Sequence, residues 1–323
     1  MNWVKFLAFL VPKVCGPGVL LTVSCLILFG LLPAYGNQSP SVRVAIVVSK
    51  HISPYLEAVE GLEVGLADNP DVKTQVFNLE KSDDKEQVEL FGGEGVKEFA
   101  LFVAVGPEAA QYLWEGIGKK GASRMYCMVL NPEMVIGEKE RGCGIPLNIP
   151  VETQIEMISR GFPSVRRVGL LYDPGHNSEF LRKAAAAASF LNLTVVPLKV
   201  SSKKDIPSAL ERQWKHVDAL WLIPDRTVIS ESIVNYLIKE AFLRKVPVIG
   251  YNRFFYEAGA ALAFVFDYKE LGQQCAQKAL RILLGEDCRE TSPLFHVWVN
   301  EKVAEKLGLR PPDGYLPPLQ LGP

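Results

Sequence analysis

Short, unbroken apolar runs alternate with amphipathic stretches along almost the whole chain, and this alternation narrows the fold more than any single motif. Val42–Val48 (VRVAIVV), Gln75–Leu79, Leu101–Val105 (LFVAV), Met125–Leu130 (MYCMVL) and Gly142–Leu147 form one set of strand-like runs. Val168–Tyr172 (VGLLY), Thr194–Leu198, Ala219–Ile223 (ALWLI), Val246–Gly250 and Ala261–Phe266 form a second. A strand with one wet face alternates apolar and polar residues, whereas continuous apolar runs suit a parallel sheet covered on both faces. Helical periodicity appears between the runs, at Pro54–Leu66, Glu86–Phe99, Glu152–Arg160, Ser178–Leu191, Ile229–Arg244 and Tyr268–Leu284. Repeated strand–helix alternation predicts doubly wound α/β architecture with right-handed crossovers. About ten strands exceed one small sheet, so two lobes are expected, with a break near Asn148-Ile149-Pro150. The length of 323 residues agrees with about two domains.

Composition removes some alternatives. Hydrophobic residues make up 48%, charged residues 22%, and the net charge is −1. Such a chain can bury a core, which excludes a mostly disordered protein, and it offers no basic surface for nucleic acid. The mean hydropathy of +0.12 owes much to the N-terminus. Val14–Tyr35 contains no charged residue, Lys5 and Lys13 precede it, and no acid occurs before Glu57. A basic start, an apolar stretch and small residues at Ala34-Tyr35-Gly36 fit an export signal, residues 1–36, cleaved after Gly36. The competing reading is an uncleaved anchor, because the run is long enough for a bilayer core of about 30 Å. Thr22 and the apolar residues beyond Cys25 argue against lipid attachment at Cys25. Each reading makes the folded part periplasmic or extracytoplasmic, touching membrane through the N-terminal segment if that segment stays.

Chemistry-bearing motifs are sparse. There is no G-x-S-x-G elbow, and His51, His176, His216 and His296 are scattered. The S-x-x-K spacing in Ser201–Lys204 reads as a solvated turn before a helix, and Gly92–Gly95 lacks the GK[ST] of a phosphate loop. No spacing suggests zinc, and no metal or cofactor is expected. Beyond the N-terminal segment lie Cys127, Cys143, Cys275 and Cys288. In an oxidising compartment these can form disulfides, with Cys127 and Cys143 neighbours in one sheet; buried free thiols are the alternative.

The informative residues sit just after the strands, where open α/β sheets bind ligands. These are Ser49–Ser53, Gly106-Pro107-Glu108, Asn131-Pro132 and Asn148 in the first half. In the second half they are Asp173–Ser178, Pro224-Asp225-Arg226-Thr227 and Tyr251-Asn252-Arg253. Each has an ordinary structural explanation, since Asp, Asn and Ser cap helices and Pro and Gly end strands. Two such edges facing each other across a cleft would nevertheless suit a small polar ligand. An enzyme using Asp173 and Asp225 as an acid/base pair is a further reading; a retaining pair would sit about 5 Å apart.

Several segments, taken in order, resemble a known family. They are LFVAVGPEAAQ (Leu101–Gln111), MVLNPEMV (Met128–Val135), the stretch Gly144–Ser178, ALWLIPDRTVIS, KVPVIGYN, Gly259–Glu286 and VNEKVAEKLGL (Val299–Leu309). The sequence resembles ABC-transporter substrate-binding proteins of the periplasmic binding protein type I fold, in the branch that includes tryptophan- and tyrosine-binding members. The resemblance implies two Rossmann-like doubly wound lobes joined by a three-strand hinge, with connections near Asn148, Phe266-Asp267 and His296. Lobe 1 would span 42–147 plus 267–295, lobe 2 149–266 plus 296–310, and 311–323 would form an irregular tail.

Carried over by position, the implied ligand-binding residues are Ser53, Gly106, Glu108, Asn131, Asn148, Asp173, Asn177, Asp225, Arg226, Thr227, Asn252 and Asp267. Departures from the family pattern are Pro107 where a Thr is frequent, Arg226 where a small Asn is common, and Asn131 in place of Asp. Arg226 and Arg253 would suit a planar acid. The implied activity is solute binding without catalysis, with ABC permease subunits as partners; the alternative is a membrane-tethered sensor or interaction protein of the same fold. N-terminal sequencing of the exported protein is expected to start at Asn37; a chain beginning at Met1 would make Val14–Tyr35 an anchor.

Overall fold

A computed structural model of the chain describes residues 41–81, 83–84, 86, 97–116, 123–137, 142–225, 227, 230–309 and 318–322. They lie in one compact unit, Pro40–Pro323. The expected export segment, Arg226, and most of the helix expected over Glu86–Phe99 fall outside the described residues. Among those described, no helix is long and apolar enough to cross a membrane.

The first sheet contains β1 (Val42–Val48), β2 (Val72–Asn78), β3 (Leu101–Val105), β4 (Ser123–Val129) and β5 (Gly144–Pro146) in the order β2-β1-β3-β4-β5. All its pairs are parallel. Both faces are covered, which is why its strands read as continuous apolar runs. Val44, Ile46 and Val48 face the helix α1 (Ser53–Ala67). Ala45 and Val47 face the opposite layer, where α2 (Pro107–Gly116) supplies Ala109, Ala110, Leu113 and Trp114, and α3 (Pro132–Ile136) supplies Ile136.

The second lobe starts with α4 (Val151–Gly161), β6 (Arg167–Tyr172), α5 (Pro174–Ser189) and β7 (Thr194–Lys199). Next come α6 (Ile206–Gln213), β8 (Ala219–Leu222), α7 (Glu231–Leu243), β9 (Val248–Gly250), α8 (Arg253–Glu257) and β10 (Leu262–Val265). The chain then passes through α9 (Tyr268–Leu283), and β11 (His296–Val299), α10 (Glu301–Lys306) and β12 (Leu319–Leu321) complete the elements. The second sheet runs β12-β11-β10-β9-β8-β6-β7, parallel except between β10 and β11. Its two faces bury separate clusters, one around Leu170 and Trp221 and one around Leu171, Leu220 and Leu222.

Several elements differ from the sequence-based expectation. The helix expected from Ser178 starts at Pro174, because Asp173 caps it by accepting from the Gly175 amide. The expected tail is not irregular to its end: Leu319–Leu321 pairs with Val297–Val299. Cys127 and Cys143 do lie on neighbouring strand regions, but the disulfide joins Cys143 to Cys288, while Cys127 and Cys275 are buried free thiols.

Helix α9 belongs in space to the first lobe. Its buried face, Leu271, Gly272, Cys275, Ala276 and Ala279, lies against Ala58, Val59, Gly61, Leu62 and Leu66 of α1. The backbones nearly touch. A Cβ on Gly272 would fall inside contact distance of the Ala58 carbonyl, and one on Gly61 would do the same to the Lys269 carbonyl. Gly272→Ala is therefore expected to cost about 1–3 kcal/mol, because the backbone has to part to admit the methyl group. A lowered thermal midpoint would register this; an unchanged one would show that the helices separate freely.

Candidate functional site

Strand order marks one special place in each sheet. In the first, connections from β1 and β3 leave in opposite directions, so a crevice opens beyond their carboxyl ends. In the second, β6 and β8 stand in the same relation. Polar side chains gather at both points.

At the first, Ser49 follows β1 and Gly106 follows β3. The Ser49 amide donates to the Val105 carbonyl (2.9 Å), and its hydroxyl oxygen accepts from the Ala109 amide (2.9 Å). Gly106 has φ +95°, and a Cβ there would collide with Ser49 and Tyr55, so glycine is required on both counts. Pro107 has no N–H, and Ala109 is already bonded, so the start of α2 has few donors left for an anion. Glu108 sits there instead, paired with Lys50 at 2.7 Å. Partial burial works to raise the Glu108 carboxyl, but the Lys50 ammonium and nearby donors prevail and hold it below the ordinary value. Tyr55 lies beside this pair, its phenol pushed up by burial.

Asn131 and Asn148 form a second feature of this lobe. The Asn131 amide donates to Asn148 Oδ1 (2.8 Å), and Asn148 Nδ2 donates to Asn131 Oδ1 (2.6 Å). Asn131 has φ +50°, a left-handed conformation that asparagine accepts more readily than most residues. The pair ties the end of β4 to the first connection between lobes.

At the second crevice, Asp173, Asn177, Asp225 and Thr227 meet in one network. Asp225, 3% exposed, accepts at Oδ2 from the Asp173 amide and Asn177 Nδ2, each at 2.8 Å, and at Oδ1 from the Thr227 amide at 2.9 Å. The Thr227 hydroxyl donates to Asp173 Oδ2 (2.7 Å). That bond, then the Gly175 amide, lowers the Asp173 carboxyl below its usual value. The two carboxylates thus share a network, yet amide donors occupy both oxygens of Asp225, which suits a scaffold rather than a proton shuttle.

The other expected residues have local partners. The Ser53 hydroxyl donates to Glu57 on the same helix (2.6 Å). Asn252 caps α8 through the Phe255 amide (3.3 Å), and Asp267 caps α9 through the Glu270 amide (3.0 Å). Arg253 stacks over Trp298 (5.1 Å). Lys50, inside the Ser49–Ser53 edge but not among the implied ligand-binding residues, adjoins them, as do Tyr55 and Tyr268, which the sequence reading did not single out. Burial pushes the Tyr268 phenol up, with the Glu57 charge adding to the effect and Arg253 opposing it. Tyr251, packed at a tilt against Phe255 with ring centroids 4.6 Å apart, is pushed up to about 12 by burial. The signal for these residues is their position: each lies within a few residues of a strand's carboxyl end or a connection between lobes.

Known proteins give this geometry a family. Among curated proteins, a tyrosine-binding protein from Clostridioides difficile (strain R20291) is 20% identical over 140 residues, or 43% of this chain and 40% of the relative. The matched region therefore spans less than half of that relative's length. The ligand-free, open structure of a substrate-binding protein with adhesive properties from Clostridium difficile superimposes with a TM-score of 0.70 at 19% identity, covering 84% of this chain and 96% of the other. An ABC domain from Streptococcus pneumonia in complex with L-Trp gives a TM-score of 0.55 at 22% identity, with the same coverages of 84% and 96%. These likenesses establish a shared fold, that of ABC solute-binding proteins. Residues 137–316, more than half of the chain, match the family model described as ABC transporter substrate binding protein. The chain belongs to that family, which is one of binding proteins and not of enzymes.

Proposed function

We propose that the protein is the extracytoplasmic solute-binding component of an ABC transport system, holding a small polar or amino-acid-like molecule between its lobes for delivery to permease subunits. One observation carries the reading: both sheets gather polar side chains at the crevice where their connections diverge. A ligand bridging the two would draw the lobes together about the hinge. Gly106, Glu108, Asn131 and Asn148 belong to the proposed first wall, and Asp173, Asn177, Thr227 and Asn252 to the second. Arg253 supplies a guanidinium at the rim. The export-like N-terminus supports the same location.

Isothermal titration calorimetry against a panel of amino acids and organic acids tests this, with L-tryptophan and L-tyrosine included because relatives bind them. Saturable binding of at least one member, with a raised melting temperature, is expected. Failure of the whole panel on both measures would remove the solute-receptor reading as framed. The first wall adds a pH-dependent prediction. Because the folded Glu108 carboxyl is lowered, its contribution is complete above the unfolded pKa and disappears as pH falls through the folded value. In Lys50→Met, the Glu108 carboxyl is expected to titrate at higher pH than in the parent when followed by NMR.

A further inference from the structure

We propose that Asp225 is a positioning residue: it stays out of contact with the ligand and holds the groups of the second wall in place before the ligand arrives. This rests on the solute-binding reading above and adds a division of labour within it. Asp225 is 3% exposed. Its Oδ2 accepts two N–H donors, from the Asp173 amide and Asn177 Nδ2, and its Oδ1 accepts the Thr227 amide. A buried carboxylate needs several such donors to offset lost hydration, so these bonds are costly to break. They come from two loops that are unconnected locally, one after β6 and one after β8. Asp225 therefore fixes the spacing between the loops.

The backbone carries an independent mark of this arrangement. Asn177 leaves helical geometry inside α5, at φ −125° and ψ 21°, and in that conformation its side-chain Nδ2 reaches Asp225. The kink in α5 thus falls at the residue that meets the buried carboxylate. The groups that remain for a ligand belong to the residues Asp225 holds. The Asn177 side-chain oxygen has no hydrogen-bond partner among the described residues, and the Thr227 hydroxyl, which donates to Asp173, can still accept. The same network sets the rotamer of both.

The experiment pairs Asp225→Asn in the full exported chain with amide hydrogen exchange and with calorimetric titration of L-tyrosine and L-tryptophan. Asparagine keeps one acceptor oxygen and turns an NH₂ toward the donors of the other, so either the Thr227 bond or the two bonds to Oδ2 are lost. Exchange at the Thr227 amide, or at the Asp173 amide if the carboxamide turns the other way, is expected to rise about tenfold without ligand, and the affinity for whichever probe the parent binds to fall by a similar factor. Asn177→Ala removes one donor while keeping the carboxylate. It is expected to give a smaller rise at Asp173, and it decides the matter if Asp225→Asn does not fold. Unchanged exchange at both amides overturns the proposal, whatever the affinity does; lost binding with unchanged exchange would make Asp225 a direct ligand contact. If the parent binds neither probe, the choice of ligand class fails, and the exchange measurement still decides the positioning role.

Discussion

The close contact of α1 with α9 is the constraint on which the two-lobe arrangement depends. The chain leaves the first lobe after β5, builds five of the second sheet's seven strands, returns to place α9 on α1, and then adds β11 and β12. With Gly61, Gly65, Gly272 and Ala276 at the interface, backbone approaches backbone, and no side chain stands between to act as a bearing. Interiors packed this tightly have few alternative arrangements. The seating of α9 therefore sets where Asp267 and Tyr268 begin the helix, and with them the return connection from β10. The rims of the crevice inherit their spacing from that contact.

The residues gathered at the two crevices also show why capping and recognition are hard to tell apart. Asp173 is an ordinary N-cap by its bond to the Gly175 amide and a network member by its bond to Thr227. Ser49 serves α2 from a different strand, doing for Ala109 what a local cap would do. Short polar side chains at strand ends satisfy the exposed amides of the next helix. The same geometry leaves part of their hydrogen-bonding capacity facing outward.

Legibility followed physical range. Buried parallel strands announce themselves in runs such as VRVAIVV and LFVAV, because both faces are dry. Strand ends then locate the polar edges by rule, and Asp173, Asn177, Asp225 and Thr227 turn out to share one network. What escaped is long-range or short in extent. HVWV has four residues and runs antiparallel to β10, and the helix before it packs on the first lobe instead of the second sheet, while β12 has three residues beyond a proline-rich stretch. The Cys143 partner lies 145 residues away, a pairing that spacing cannot specify. Tyr55 and Tyr268 carry no motif and read simply as helix residues. The assignment of Asp225 as a binding residue came from its position; its burial and its donors are visible only once the loops after β6 and β8 are side by side.

The Cys143–Cys288 bridge closes a loop that contains α4 through α9, and thus most of the second lobe. Its far end is sewn down as well, since the Thr291 amide donates to the Gly144 carbonyl and the Tyr126 hydroxyl to Glu290. In covalent terms the second lobe is largely a lasso paid out from the first and knotted at the neck. A single peptide cut anywhere inside that lasso leaves two fragments still chained together. The protein can thus suffer a nick in the second lobe and not lose the piece that was cut.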